Sequence, residues 1–362
     1  MRIFIEPSDV LLFRDGRPFV AGEDHRALSL FPPTPLTMQG AIRSRVLADK
    51  GVSYTAYASG AVSVPGIGYA DDYGQLRLRG PFIARQENGR VMRYFSLPSD
   101  VVLAGCPHPI ALAPLFAAES SFESNPTVGA NSLGLLWHRT IARIEAPSGW
   151  LSEIELQHYL NGEPFSVTPE HELFDRESRF HVGIDSQFKR PHRGGAGGHL
   201  FQVEFVRLQH GVGLWLDVNG VQLSDEGLLQ LGGDSKAAVY RKVDEVPPLT
   251  AGGVVQGKFK LYFATPAYFA TGWQPDDWGR FITGGTVRLV AAAVPRAQAI
   301  GGFDLARNRH KPMRRFVPAG SVFLFESDGE VTVPEVITDD DGQARFSQIG
   351  FGQVFIGRWD YV

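Results

Sequence analysis

The densest group of residues able to do chemistry in this sequence is a basic strip that contains no acid. It has the sequence "RNRHKPMRR", and its cations are Arg307, Arg309, Lys311, Arg314 and Arg315. Arginine presents a planar fork of donors that matches the oxygens of a phosphate, and lysine adds a point charge. A single run of charges is usually a solvated face, so this strip alone does not predict a ligand.

A second acid-free strip, "FKRPHRGGAGGH", combines Lys189, Arg190 and Arg193 with a run of glycines, which is the composition of a loop that grips phosphates. The whole chain nevertheless has a net charge of -4. It therefore lacks the global positive field of an autonomous nucleic-acid binder, and any nucleic acid must be met by local patches. Together, the two strips favour a single-stranded RNA ligand.

Catalytic signatures are missing from the sequence. It contains no G-x-x-x-x-G-K-[ST], H-E-x-x-H or G-x-S-x-G motif. "GGDS", residues 232–235, is similar to the Gly-Gly-acid-acid turn that holds two metal ions in polymerases, but Ser235 replaces the second acid. "TDDDG", residues 338–342, is predicted to be a solvated hairpin tip. We therefore expect neither a metal site nor another cofactor.

The histidines and the single cysteine narrow the chemistry further. Four of the ten histidines lie between residues 181 and 210, at spacings that fit no metal signature. His25 is the best acid–base candidate because its neighbour Arg26 can hold a phosphate, although surface histidines are the commoner case. Cys106 is the only cysteine, and no stretch has the pattern of a signal peptide or a membrane span. We expect a cytoplasmic protein.

The elements that must position these residues begin with a strand and a helix. "RIFIEP" alternates apolar and charged residues and predicts a strand that ends at Pro7. After a long loop with Gly and Pro turn formers, Thr34 suits a helix N-cap, Pro35 the first helical position and Gly51 the left-handed position past the end. The sequence therefore predicts a helix between residues 34 and 51.

The faces of this helix are also predicted. Met38, Ile42 and Val46 recur at four-residue spacing and mark the face that packs inward. Gly40, inside the helix, costs about 1 kcal/mol relative to alanine, which indicates either a close backbone approach by a ligand or helix-on-sheet packing.

Strands dominate the rest of the chain. "LRLRGPFIARQ" and "RVMRYFSLP" flank Asn88-Gly89, a strong hairpin signal. "HLFQVEFVRL" and "GVGLWLDV" are predicted to pair with each other across residues 209–211, and "DEGLLQLGG" to form a short helix. Further strands are predicted in "KFKLYFATP", "TVRLVAAAV", "SVFLFES" and "QVFIGRW". The glycines Gly350 and Gly352 before this last strand either admit a ligand or allow a tight turn.

A strand, a helix and then antiparallel strands predict an α+β fold of the ferredoxin-like, RRM-related type. At 362 residues the chain is too long for one ordinary domain. We expect an N-terminal ferredoxin-like domain over residues 1–146. A second one, with the C-terminal glycine-rich loop, is expected over 147–362, and both have long Gly/Pro-rich insertions.

Longer stretches of the sequence resemble a known family. "IFIEPSDVLLFRDGRPFVAGEDHRALSLFPPTPLTMQGAIRSRVL" is similar to the opening of the third Cmr-type RAMP subunit of type III-B CRISPR effector complexes. So are "HVGIDSQFKR", "GHLFQVEFVRL", "LGGDSKAAV", "TPAYFATGWQP", "GGFDLARNRHKPMRRFVPAGSVFLF" and "IGFGQVFIGRW". These matches follow in order from residue 1 to about Trp359, which makes a chance likeness untenable.

The resemblance implies a non-catalytic subunit of two ferredoxin-like domains. Its partners would be the 5′ tag of the CRISPR RNA, the large palm-domain signature subunit and the adjacent backbone RAMP subunit. It implies no membrane and no small-molecule substrate. An RNA channel shared between subunits also accounts for the acidic balance of this chain.

Carried over by position, the resemblance implies a set of RNA-facing residues. The strip at 307–315 would line the same channel or meet a partner subunit, and both uses stay open. The family shows an acid and then Gly-Arg after the paired glycines, whereas this chain has Asp234, Ser235 and Lys236, which removes support for contacts from that turn. The other residues implied are Arg14, Arg17, His25, Arg26, Thr37, Gly40, Arg43, Gly350 and Gly352.

Two other functions are compatible with the sequence. Some RAMP relatives are metal-independent endoribonucleases that process CRISPR RNA, and in that case His25 would be essential for cleavage. A pure protein–protein scaffold would contact no RNA at all.

Overall fold

The structure of the protein is a computed structural model. It describes residues 1–14, 26–105, 108–115, 133–182, 184–185, 190–191, 200–233, 236–243, 249, 251–304, 309–342 and 344–362. No helix in these ranges has the length and apolar character needed to cross a membrane.

The helices and strands are numbered in chain order. Those of the first half are β1 (Arg2–Pro7), β2 (Arg26–Ala27), α1 (Pro35–Asp49), α2 (Tyr54–Ala58), β3 (Arg77–Glu87), β4 (Arg90–Ser96), β5 (Val101–Ala104), β6 (Ile110–Ala111), β7 (Ala113–Pro114), β8 (Leu136–Trp137), β9 (Ile144–Glu145), β10 (Trp150–Ser152) and α3 (Glu153–Asn161).

Strands make up the second half, together with two short 3-10 turns at Glu170–Glu172 and Trp278–Arg280. The strands are β11 (Phe174–Val182), β12 (Ile184–Asp185), β13 (Arg190–Pro191), β14 (Leu200–Leu208), β15 (Val212–Asn219), β16 (Glu226–Gln230), β17 (Ala237–Lys242), β18 (Gly253–Phe263), β19 (Val287–Ala293), β20 (Gln298–Asp304), β21 (Arg309–Phe316), β22 (Val322–Val333) and β23 (Val354–Gly357). This mixture of many strands and few helices fits the predicted α+β class.

The chain forms two compact units, each assembled from three stretches. The first unit contains residues 1–91, 171–244 and 299–314, and the second contains 92–170, 245–298 and 315–362. These units do not coincide with the predicted domains 1–146 and 147–362. That division of the sequence stays a prediction.

Five strands of the first unit run in the order β3-β15-β1-β17-β16, and every neighbouring pair is antiparallel. The central strand β1 is buried at Ile3, Phe4 and Ile5, as a strand paired on both edges should be. Trp215 of β15 and Phe82 of β3 add a stacked pair with ring centroids 5.9 Å apart. The sheet therefore has a continuous apolar centre.

Helix α1 forms where the sequence predicts it. It begins at Pro35, Thr34 is its N-cap, and Gly51 beyond its end has φ 64°. Met38, Ile42 and Val46 are buried, so the predicted inward face is confirmed.

In the second unit, four strands run in the order β19-β22-β18-β23, again all antiparallel. Their core is aromatic, with Phe259, Phe263, Phe323 and Phe325 all 2% exposed or less. The 3-10 turn in the connection from β18 to β19 buries Trp278 against Phe325, with ring centroids 4.9 Å apart. Strands are thus confirmed in the four late segments that were predicted.

The turn after β3 is confirmed as well, because Asn88 (φ 50°) and Gly89 (φ 80°) both adopt the left-handed conformation. Two other local predictions are wrong. The predicted helix in "DEGLLQLGG" is the strand β16, in which buried Leu229 alternates with Leu228, which is 60% exposed. This short apolar run pairs with β17, with Leu228 opposite Val239, and therefore forms a strand where a helix was predicted.

The predicted β14–β15 hairpin does not form. Strand β14 pairs with β11 and β2, whereas β15 pairs with β1 and β3. The chain turns at Gly211, which has φ 72°, but it passes from one sheet to another there. The sequences of two adjacent apolar strands do not determine which strand each one pairs with, because each could pair equally well with the edges of several other strands.

Candidate RNA-binding surface

The start of α1 lacks two common capping features, namely a hydrogen bond to the N-cap side chain and an acidic residue in the first turn. Among the described residues, no hydrogen bond from the helix reaches the Thr34 side chain, whose hydroxyl instead lies 3.3 Å from that of Thr37. The first turn contains no acidic residue. The backbone N–H groups of Thr37 and Met38 reach back to the Thr34 carbonyl at 2.9 and 3.3 Å. No carboxylate of the first turn therefore offsets the positive end of the helix dipole, and Thr34 and Pro35 at this end are buried.

Gly40 lies one turn further along α1 and is exposed. A Cβ atom built on it would meet no atom of the described residues within 4 Å. Packing on the sheet, one of the two predicted reasons for this glycine, is therefore wrong. The structure leaves open space beside the backbone at this position.

Arg43, by contrast, is engaged within the chain. Its Nη1 donates to the carbonyl oxygen of Asp72 and its Nη2 to that of Tyr69, both at 2.7 Å. The guanidinium also lies over the ring of Tyr57, 5.4 Å from the centroid, and bonds to its hydroxyl. Arg43 thus holds the segment after α2 against α1, and this internal role makes it a positioning residue in the structure.

Helix α2 contains a tyrosine whose pKa is shifted by burial and by two nearby charges. Tyr54, at the first position of α2, is 42% exposed. Partial burial raises the pKa of its hydroxyl, the negative charge of Asp304 raises it further, and the Arg43 guanidinium opposes them. Asp304 is the last residue of β20. The charges of Asp304 and Arg43 thus shift the pKa of this hydroxyl in opposite directions.

The described part of the basic strip, from Arg309 onward, lies in strand β21, which pairs with β20 in a two-stranded ribbon. Arg309 and Arg315 are exposed, while Lys311 and Arg314 are half-buried. Two of these four cations are therefore exposed, and the use of the strip for RNA or for a partner subunit stays a prediction. A ribbon of this kind presents side chains on both of its faces.

One pair of rings on this ribbon was not predicted. Phe303 on β20 contacts His310 on β21 edge-to-face, with ring centroids 5.3 Å apart. Phe303 is 45% exposed, and His310 is exposed too. The sequence "GGFD" carries no periodic apolar pattern, so only the pairing of the two strands reveals this contact.

The remaining predicted contacts divide into three groups. Arg14 is exposed and forms a bridge with Ser29. The backbones of Arg26 and Arg190 belong to β2 and β13. The residues outside the described part are Arg17, His25, Lys189, Arg193 and Arg307.

Gly350 and Gly352 have an internal role. Both are buried, with φ values of 109° and 68°. A Cβ atom on Gly352 would lie 2.4 Å from the Ile337 carbonyl oxygen, and its N–H donates to the Pro266 carbonyl at 2.8 Å. The chain itself therefore requires a glycine at this turn, while a ligand contact there stays a prediction.

The acidic turn "TDDDG" differs from the predicted solvated tip. Asp339 is only 8% exposed, accepts a hydrogen bond from the Ala270 N–H at 3.0 Å and pairs with Arg280 at 2.7 Å. With these two partners, the Asp339 carboxylate lies inside the fold instead of in solvent. Within the described ranges, no group of three His, Cys, Asp or Glu side chains could hold a metal ion.

Gly232 and Gly233, the described part of "GGDS", form a bend after β16, which takes the place of the predicted helix. Gly232 has φ 87°, and a Cβ atom there would lie 2.7 Å from the Leu12 carbonyl oxygen. The N–H of Gly233 donates to that same oxygen at 2.8 Å. Asp234 and Ser235 lie outside the described residues.

Comparison with known proteins adds a family and a fold. The model of a family described as CRISPR-associated protein (Cas_Cmr3) matches residues 3–359. No curated protein matches the sequence significantly.

Solved structures of CRISPR complexes contain similar chains. A chain of the type III-B Cmr-beta complex bound to cognate target RNA has 15% identity and a TM-score of 0.51, over 90% of this chain and 86% of that one. A chain of that complex with target RNA and AMPPnP has 14% identity, the same TM-score and the same coverage. At this identity the likeness shows a shared fold. The Csm3-Csm4 subcomplex of a type III-A CRISPR-Cas interference complex contains a chain with 11% identity and a TM-score of 0.40, over 99% of both chains.

Proposed function

The chain belongs to the family of CRISPR-associated proteins described as Cas_Cmr3, and from this premise we propose that it is an RNA-binding subunit of a type III-B CRISPR interference complex. In this proposal it grips the 5′ tag of the CRISPR RNA and docks to the large palm-domain subunit and the adjacent backbone RAMP subunit. The observation that carries the proposal is the family match across residues 3–359. We also propose that the subunit is cytoplasmic and non-catalytic and uses no cofactor.

The strand orders support two ferredoxin-like domains as the frame. In the first unit, β1 lies between β15 and β17, and β3 lies beside β15. In the second unit, β18 lies between β22 and β23, and β19 lies beside β22. With β16 left aside, each set has four strands, in which the first lies between the third and the fourth and the second lies beside the third. This is the antiparallel order of a ferredoxin-like sheet, with β16 added at one edge in the first unit.

The surface of the first unit supports RNA as the ligand. The first turn of α1 has no acidic residue to offset the positive end of the helix dipole, which favours a nearby phosphate, and no described atom lies within 4 Å of a Cβ atom built on the exposed Gly40, which leaves room for a sugar-phosphate backbone. Half or more of the hydrogen bonds that proteins make to nucleic acids go to phosphate and sugar. The described residues that we propose for this role are Arg14, Thr37, Gly40, Arg309, Lys311, Arg314 and Arg315.

Photocrosslinking tests the proposal directly. The complex is assembled with a guide RNA that carries 4-thiouridine within its 5′ tag, and the crosslinked subunit is identified by mass spectrometry. We expect crosslinks from the tag to peptides of this chain. The matched control carries 4-thiouridine near the 3′ end of the guide, from which we expect crosslinks to other subunits. Tag crosslinks that fall only on neighbouring subunits would make this chain a protein scaffold.

The non-catalytic part of the proposal has its own test. Purified full-length chain at micromolar concentration is incubated with repeat RNA in the presence of EDTA. We expect intact RNA, whereas cleavage at a defined position would establish a metal-independent endoribonuclease.

A further inference from the structure

Strand β16 is the last strand of its sheet, and its outer edge pairs with no strand of the described residues. Two backbone bonds fix which of its groups face that edge. The N–H of Leu231 donates to the Lys236 carbonyl at 2.8 Å, and the N–H of Lys242 donates to the Asp225 carbonyl at 2.6 Å. Because hydrogen-bonded positions alternate along an antiparallel pair, the odd-numbered residues of β16 bond to β17. The even-numbered residues from 226 to 230 therefore point their N–H and C=O groups away from the sheet.

Side chains occupy two acceptors of this edge. The Ser224 hydroxyl donates to the Glu226 carbonyl at 2.7 Å, and the Arg45 Nη1 donates to the Leu228 carbonyl at 3.4 Å. The outward N–H groups of Leu228 and Gln230 have no partner among the described residues. Proteins usually protect a free edge with prolines, lysines or bulges. The sequence of β16, "EGLLQ", has no proline or lysine, and its pairing with β17 has no register shift.

An apolar pair lies on the exposed face beside this edge. Leu228 is directly opposite Val239 of β17, so the two side chains are neighbours on one face, and they are 60% and 43% exposed. Glu226, two residues before Leu228, shares this face and lies opposite Arg241, which pairs with Glu6 at 3.2 Å. The face thus has an apolar centre with a polar rim, as protein interfaces do.

The charges beside this edge indicate the kind of partner. Asp225 has a side chain that is 81% exposed and lies 3.9 Å from Lys242, and Glu226 is exposed as well. The nearby Arg45 and Arg241 are each paired with an acid. Exposed acids repel the phosphates of RNA, and an aliphatic pair offers no ring on which a base could stack. A second copy would bring no cation to these acids through its own β16. The edge is therefore complementary to an extended protein segment that carries basic residues.

We infer that β16 receives an extended segment of a neighbouring subunit of the complex, which adds a strand to the sheet. In this pairing an apolar residue of the segment packs on Leu228 and Val239, and a lysine or arginine lies beside Glu226. Main-chain bonds supply affinity and the side chains supply specificity, as in other cases of strand addition. The inference rests on the proposed assembly into a type III-B complex and adds a docking edge to it.

Hydrogen exchange resolved to single amides tests the strand addition. Full-length chain is measured alone and in the complex assembled with its guide RNA and the other subunits, by mass spectrometry with electron-transfer fragmentation. In the chain alone, we expect fast exchange at Leu228 and Gln230 and slow exchange at Gly227 and Leu229, whose amides bond to β17. In the complex, exchange at Leu228 and Gln230 should slow by about tenfold or more, so that the alternation disappears.

Two substitutions of Gln230 separate the backbone from the side chain. Gln230→Pro removes one outward N–H without removing a bond to β17, and an edge strand tolerates proline at such a position. Gln230→Ala, which keeps the N–H, is the matched control. In competition with labelled wild type for assembly, Gln230→Pro should bind at least about fivefold more weakly, because a carbonyl of the segment loses its donor. Gln230→Ala should stay within about twofold of wild type.

A second variant keeps the test valid if Gln230→Pro lowers the unfolding temperature. Leu228→Lys changes a side chain that is 60% exposed and leaves the backbone groups in place. It should weaken assembly by about tenfold or more, because it removes the apolar contact and places a cation beside the basic segment.

Three results separate the possible failures. If the complex forms while the Leu228 and Gln230 amides exchange as in the free chain, strand addition at β16 is wrong and the proposed function stands. If the chain does not join the other subunits, the proposed function itself fails. If these amides are already protected in a free chain that sediments as a dimer, the edge pairs with a second copy, which overturns the inference.

Discussion

Two regions of the molecule, the contact of β4 with α3 and the ribbon of β20 and β21, use their polar groups in opposite ways. In the second unit, ionic groups lie inside. The Arg93 guanidinium forms two bonds to the Glu153 carboxylate, at 2.9 and 2.5 Å, with side chains 6% and 4% exposed. In the first unit, Arg309 of β21 is exposed and is followed in the strand by the exposed ring of His310. Ionic groups therefore stabilise the interior in one region, whereas in the other a cation is exposed.

The second unit contains a further buried polar cluster. The Tyr159 hydroxyl lies 2.7 Å from Oδ1 and 2.8 Å from Oδ2 of Asp100, and the Lys260 ammonium lies 3.5 Å from the centre of the Tyr159 ring. Burial raises the pKa of Asp100, while the charge of Lys260 and the bond from Tyr159 oppose it. Buried groups of this kind are costly unless every partner is present. The cluster thus makes the second unit sensitive to single changes.

The largest loss of stability is expected when the buried Arg93–Glu153 ion pair is broken. Glu153→Ala should destabilise the protein by about 3–5 kcal/mol, because it leaves the Arg93 charge buried without its partner. Chemical denaturation followed by circular dichroism measures the change. Glu87→Ala, which breaks an exposed contact to Arg85 at 3.5 Å, is the control and should cost about 1 kcal/mol or less. Equal losses in both variants would contradict the distinction between buried and exposed pairs.

A smaller loss is expected at the Tyr159–Asp100 contact. Tyr159→Phe should cost about 1–3 kcal/mol, because the buried carboxylate loses a donor. Tyr361→Phe is a matched control, since its hydroxyl donates to Glu326 at the same 2.7 Å but near the surface. Thermal and urea unfolding compare the two, and a larger loss for Tyr361→Phe would overturn the ranking.

On the ribbon, stability and binding should separate. Arg309→Glu combined with Arg315→Glu should weaken RNA binding about tenfold or more, because two cations that attract phosphates become anions. The unfolding free energy should change by less than about 0.5 kcal/mol, as for other surface substitutions. Anisotropy titrations and urea unfolding give the two numbers. Unchanged RNA affinity would show that the ribbon is a solvated face or a protein contact instead of an RNA-binding surface.

The smallest effect concerns the glycine of α1. Gly40→Ala should stabilise the protein by up to about 1 kcal/mol, because helix propensity improves and the new methyl group meets open space. If RNA lies against this position, the same variant should bind more weakly. Gly220→Ala is the opposite case, with φ 80° and a Cβ that would lie 1.8 Å from the Gln75 carbonyl oxygen, and it should be destabilising. Stability and RNA affinity that both improve in Gly40→Ala would exclude the contact.

What the sequence predicts correctly is mostly local. Helix α1 follows from its caps and the spacing of Met38, Ile42 and Val46, all of which act within a few turns. Strand β16 was mistaken for a helix because its partner β17, which decides the conformation, is not encoded in the apolar run itself.

The candidate surface shows the same limit. The exposure of the basic strip could be predicted from its composition. The internal role of Arg43 could not, because its acceptors are backbone carbonyls of Tyr69 and Asp72, more than twenty residues away along the chain. The contact of Phe303 with His310 likewise depends on strand pairing.

The salt dependence of RNA binding tests the central claim most directly. The affinity of full-length chain for tag-bearing single-stranded RNA is measured between low and high salt for wild type and for a variant in which Arg309, Lys311, Arg314 and Arg315 are all glutamine. For wild type we expect the logarithm of the affinity to fall linearly with the logarithm of salt, and the slope of the variant to be shallower by about 0.7 for each lost phosphate contact. Identical slopes would contradict an RNA-binding role for the cations of β21.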